Sequence, residues 1–196
     1  MCILAKSINM KKYLFQTLLI IMVASLVGIN KVAAQSVPGD SIIAHFVKDW
    51  ERAKAYTDEY MSAMPADKFS FKAHDSIRSF GQQMLHLAQA NMFFIMNATG
   101  EKQTFGGRNL EKVASAQSAD SVKYYVDKSY DYAINSIKKA NASTLWETKT
   151  VNMGKTYKEP AMIWMMKAFE HQTHHRGQTT IYLRLAGIKP PQEKLF

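Results

Sequence analysis

The sequence predicts an all-α protein, a four-helix bundle two of whose connections are long. Three observations predict it. Apolar residues recur at spacings of three and four along four separate stretches; no stretch alternates apolar and polar residues as a half-buried strand would; and proline or glycine punctuates the ends of the stretches. The chain has 196 residues, 47% of them hydrophobic, which suits one domain and excludes disorder, collagen and disulfide scaffolds.

The chain opens on Lys11-Lys12, an apolar run from Leu14 to Val27, and Val32-Ala33-Ala34. That is the order of a secretory leader with small residues before the cut, so residues 1 to 34 are expected to be a signal peptide cleaved after Ala34. The run falls short of the roughly 20 residues that a membrane-spanning helix needs. A soluble periplasmic or secreted product follows, with residues 35 to 196 as its single domain and no membrane contact after cleavage. Cys2, the one cysteine, is removed with the leader. The remainder forms no disulfide and offers no thiolate, so a metal has to be held by nitrogen and oxygen atoms.

In the domain, Asp40 follows Pro38-Gly39 and is expected to cap a first helix carrying Ile42, Ile43, Phe46, Val47, Trp50, Ala53, Thr57, Tyr60, Met61 and Met64, stopped by Pro65. Residues 67 to 75 read as an irregular connection. A second helix is expected from about Ser76 to Ala98, with Ile77, Phe80, Met84, Leu87, Ala88, Asn91 and Ile95 on one face and Gly100 ending it. Residues 99 to 118 hold three glycines and little periodicity, and read as a long connection over the molecule. The third helix starts near Ser118, carries Val122, Val126, Ala133, Ile134 and Ile137, and fades at Asn141-Ala142-Ser143. A second connection, of about 15 residues, leads to Pro160, in the first turn of a fourth helix that ends at Gly187.

Chemistry concentrates in the fourth helix, at His171-Gln172-Thr173-His174-His175-Arg176. At 100° per residue His171 and His175 stand about 40° apart and one turn along, a spacing at which two imidazoles reach one metal ion. Trp164, Gln178 and Tyr182 share that face. His174 points to the other side and reads as a boundary residue or a partner of the ligands. His86 on the second helix lies off the apolar face, among Gln82, Gln83, Gln89, Ala90 and Phe93, and is the best third ligand. His45 and His74 read as surface histidines. Gln172 stands where a zincin helix carries its glutamate base, and an amide takes no proton, which excludes a metalloprotease. Three neutral nitrogen ligands that leave coordination positions open remain.

Two segments carry a resemblance. Ser76-Ile77-Arg78-Ser79-Phe80-Gly81-Gln82-Gln83-Met84-Leu85-His86 resembles the second helix of the DinB/YfiT-like superfamily. His171-Gln172-Thr173-His174-His175-Arg176-Gly177-Gln178, with Tyr182-Leu183-Arg184 and Gly187-Ile188-Lys189-Pro190-Pro191, resembles its H-x-x-x-H-R-G-Q signature and the trailing Y-L-R-x-x-G-x-x-P-P. Phe71-Lys72-Ala73 is similar to its F-K-P, with alanine for proline. The resemblance covers most of residues 40 to 191. It implies a four-helix bundle of DinB/YfiT-like type with long crossover connections, a divalent metal on His86, His171 and His175, and a homodimer. Gly177 is expected to allow close helix packing, and Gln178 to hydrogen-bond a ligand or bound water. Gln82, His174 and Tyr182 are the further candidates near the site.

Zinc or nickel suits three imidazoles first, with iron, cobalt, manganese or copper also compatible. The reaction expected is that of a metal-dependent enzyme, a hydrolase or thiol transferase acting on a small molecule that the sequence does not name. The alternative is a metal-binding dimeric bundle without turnover. Nucleic-acid binding is not expected: export argues against it, and four lysines of the +9 balance lie in the leader, which leaves a mild +5.

Overall fold

The computed structural model describes residues 38–196; the expected leader and its cleavage point lie outside the described residues. Among the described residues four α-helices form: α1 (Gly39–Ala63), α2 (Phe80–Thr99), α3 (Ala119–Lys139) and α4 (Ala161–Leu185). α2 packs against α3 and α4, and α1 packs against α3 and α4 but scarcely against α2. The helices therefore close in the order α1, α3, α2, α4. Among the described residues no helix is long and apolar enough to cross a membrane.

Helix ends explain where the observed elements depart from the expected ones. Asp40 is not the cap of α1: Pro38 takes that position without a side-chain bond and Asp40 sits in the first turn, favourable beside the positive end of the helix. Met64 is extended because Pro65 follows it. α2 begins at Phe80 rather than Ser76. Ser79 and Gln82 form a reciprocal capping box, the Ser79 hydroxyl accepting from the Gln82 backbone N–H at 3.2 Å and the Gln82 side chain accepting from the Ser79 N–H at 3.0 Å. Ile77, expected on the apolar face, thus stands outside the helix and is 42% exposed. Gly100, with φ +80°, ends α2, and Ser118 caps α3.

The sequence reading did not anticipate any strand. The connection before α4 contains an antiparallel hairpin, β1 (Thr148–Asn152) and β2 (Thr156–Pro160), paired from Thr148 with Pro160 to Asn152 with Thr156. Gly154 makes its turn with φ +73°. Only Val151 of the two strands is buried, so the sequence lacks the alternation that betrays a strand with one face on a core.

The core is aromatic and sulfur-rich. Fully buried Trp50 meets Tyr130 and Phe169 edge-on, at centroid distances of 5.7 and 5.8 Å. Met165 is buried, whereas Met166 is half exposed. Beside this apolar centre runs a polar network: Gln172, fully buried, accepts from the Tyr130 hydroxyl at 2.8 Å and from Arg176 at 2.7 Å, and Arg176 also reaches Thr57 and lies 4.6 Å from the centre of the Tyr56 ring. Burial pushes the Tyr130 hydroxyl up to about 12, against the pull of Arg176 and the bond with Thr57, so it stays a donor.

Between α1 and α3, burial and the neighbouring carboxylates of Asp127 and Asp131 raise Asp58 to about 6, with Lys54 opposing. A carboxyl whose folded pKa is raised costs stability as pH climbs from about 4 through 6. Asp58→Asn is expected to stabilise the protein by about 1 kcal/mol at pH 7 and by nothing at pH 4, measured by urea unfolding at both values.

Candidate metal centre

His86 lies in the second turn of α2, and its neighbours Gln82 and Gln83 mark a polar strip where α2 meets α4. His171 and His175 face this strip one turn apart. The ring centroids of His86, His171 and His175 are 4.3 to 5.3 Å from one another, and one ring nitrogen from each falls within 4.8 Å of the other two. The convergence expected from the helical spacing is thus present, and the three side chains are positioned to bind one ion.

Their chemistry fits a cation. The Nδ1 atoms of His171 and His175 are buried and lack a hydrogen-bond partner, two of five such side-chain atoms among the described residues. Unpaired buried nitrogens are costly unless something completes them. Burial first, then the other histidines and Arg78, lower His171 to about 4 and His175 to about 3. Both are neutral at pH 7, the state in which an imidazole offers a lone pair.

Sequence reading missed a carboxylate. Glu111 accepts from His86 Nδ1 at 2.7 Å, which fixes the tautomer and leaves Nε2 as the nitrogen with an electron pair to give. Its other oxygen takes the Arg78 Nε–H at 2.6 Å. Burial raises the Glu111 pKa, but the bonds from Arg78 and His86 outweigh it and hold the carboxyl below its ordinary value. The long connection is pinned over α2 to place this residue: Leu110 is fully buried, its N–H donates to Gln89 at 2.9 Å, and Gln82 Nε2 donates to the Glu111 carbonyl at 3.2 Å. Nothing periodic marks Glu111; the one local signal is Asn109, which caps the short turn it starts.

The remaining candidates have other duties. Gln82 belongs to the capping box. The Tyr182 hydroxyl donates to the Arg78 carbonyl at 2.7 Å. Gln178 is bonded to Gln83 and donates to His174 Nε2 at 2.9 Å, so the amide expected to hold a ligand is committed to side chains at both ends. His174 is exposed, with its ring 5.0 Å from that of His175. His45 and His74 are exposed and apart from the cluster, as expected. Gly177 does not mediate close packing: a Cβ there would meet nothing within 4 Å. On α2, by contrast, Gly81 does pack closely: a Cβ there would stand 3.1 Å from the Phe69 carbonyl.

A family model, the DinB family, matches residues 33–195. The chain belongs to the DinB family. The DinB fold recurs in solved structures: a DinB-like protein from Bacillus cereus superposes with a TM-score of 0.63 at 21% identity, over 76% of this chain and 95% of that one. A DinB-like protein from Bacillus subtilis gives 0.57 at 14% identity, over 78% and 96%. These likenesses extend to the fold alone. No curated protein matches the chain.

If Glu111 orients His86, removing it should loosen the ion without disturbing the bundle. Glu111→Ala is expected to weaken metal binding by about 10- to 100-fold, and Glu111→Gln by less, in a competition titration against a chromogenic chelator. Unchanged affinity in both would show that the carboxylate serves only Arg78.

Proposed function

We propose that this DinB protein is an exported metal-dependent enzyme, a hydrolase or thiol transferase, in which His86, His171 and His175 hold one divalent ion, zinc or nickel first. The observation that carries the reading is the meeting of three imidazoles from two helices, two of them with buried unpaired nitrogens. A bound divalent ion supplies Lewis acidity, which polarises a substrate and makes water or a thiol more acidic. The chain's own residues do the rest. Glu111 holds the His86 ring in one tautomer, Arg78 keeps Glu111 ionised, and neutral His171 and His175 present lone pairs at physiological pH.

A second reading, a metal-binding bundle without turnover, is favoured by one observation: the carboxylate nearest the histidines is already shared between Arg78 and His86, which makes it a poor general base. Metal-loaded protein and apoprotein assayed side by side on a panel of esters and of thiol acceptors separate the two. Turnover that follows metal content supports the enzyme; equal background in both supports the binder. Pairing as a homodimer belongs to the same proposal and has an apolar face to serve it, where exposed Met166 joins Ile42, Phe46 and Phe169.

A further inference from the structure

Two clefts border the histidines, and they differ in kind. The first, about 570 Å3, is walled by Arg78, Gln83, Glu111, Gln178 and Tyr182; none of the three histidines lines it, and it reaches His86 only through Glu111 and Arg78. The second, about 430 Å3, has His171 in its own wall, beside Phe94, Trp164, Tyr157 and Met153. Phe94, His171 and the all but fully buried Trp164 contribute aromatic rings to its inner side. The Phe94 ring lies 5.4 Å from the His171 ring and 6.0 Å from the Trp164 ring, the latter pair inclined by only 33°. The outer side is the hairpin, which holds Met153 and Tyr157 each 40% exposed at the mouth.

We propose that the aromatic cleft takes the uncharged aryl body of a small-molecule substrate whose polar end meets the ion, and that Met153 and Tyr157 set this preference. The proposal rests on the metal-centre reading and names its substrate class. The volume suits a small organic molecule, and the Phe94 and His171 rings in its wall, with Tyr157 on the hairpin, favour an aryl ring over a flexible chain. Charge does not select strongly: Lys167 at the rim is accompanied by Glu159 and Glu170. An apolar body there is shielded from water by side chains that otherwise stand in solvent, which gives the exposed methionine and tyrosine a partner they lack in the free protein.

The test uses two ligands with the same metal-chelating group, benzohydroxamate and acetohydroxamate, titrated calorimetrically into the full domain loaded with one equivalent of zinc. Benzohydroxamate is expected to bind about tenfold tighter, an advantage that Met153→Ala and Tyr157→Ala each cut roughly threefold and that the double variant removes. Acetohydroxamate affinity and zinc content should stay within about twofold in every variant, which reports an intact centre. Equal affinity of the two hydroxamates in the unaltered protein, or an aryl advantage that survives the double variant, overturns the proposal and leaves the metal centre standing. Failure of both hydroxamates to bind, together with zinc content indifferent to loss of the histidines, brings down the metal-centre reading and this proposal with it.

Discussion

Alanine at His86, His171 or His175 is expected to strip the protein of its metal, whereas alanine at His174 leaves most of it in place. Each of the three contributes one of the nitrogens that converge within 4.8 Å; with two ligands left, affinity falls by about 100-fold or more, and occupancy after dialysis drops below about a tenth. His174 is exposed and its Nε2 already accepts from Gln178. Elemental analysis of the four variants beside the unaltered protein decides the matter. A loss at His174 equal to the others would reassign the ligand set.

The second large effect lies away from the metal, at Arg176. Arg176 is 5% exposed, and its guanidinium donates to Gln172 and Thr57 over the Tyr56 ring. Among the described residues no carboxylate pairs with it. Arg176→Ala is expected to destabilise the fold by about 3 kcal/mol in urea unfolding, because it opens a cavity and takes a donor from Gln172. Arg176→Met refills the volume and removes the buried charge, so it should cost about 1 kcal/mol or less. Metal content should be unchanged in both. A variant that unfolds normally but loses metal would place Arg176 in the site instead of the core.

Much of the centre was legible because helical geometry converts spacing into direction. The pair at 171 and 175 needs no tertiary information to share a face, and His86 was marked by its polar neighbours on an otherwise apolar helix. Glu111 was not legible for the converse reason. It sits in a connection without periodicity, and its position depends on Leu110 being buried and on hydrogen bonds with Gln82 and Gln89, which are contacts between distant parts of the chain. The same holds for Gly81 and Gly177. Both look alike in sequence, and only packing shows that the first touches the Phe69 carbonyl while the second faces open space. The start of α2 was misplaced by four residues because both Ser76 and Ser79 suit a helix start, and the choice falls to Ser79 through its partner Gln82.

Among the described residues the hairpin is bonded strand to strand with no third strand, and Val151 is its one buried residue. Lengthening or rewriting its tip therefore disturbs few contacts of the helical scaffold. On the proposed reading, edits to this short appendage would change what the cleft admits while leaving the helices that carry His86, His171 and His175 untouched.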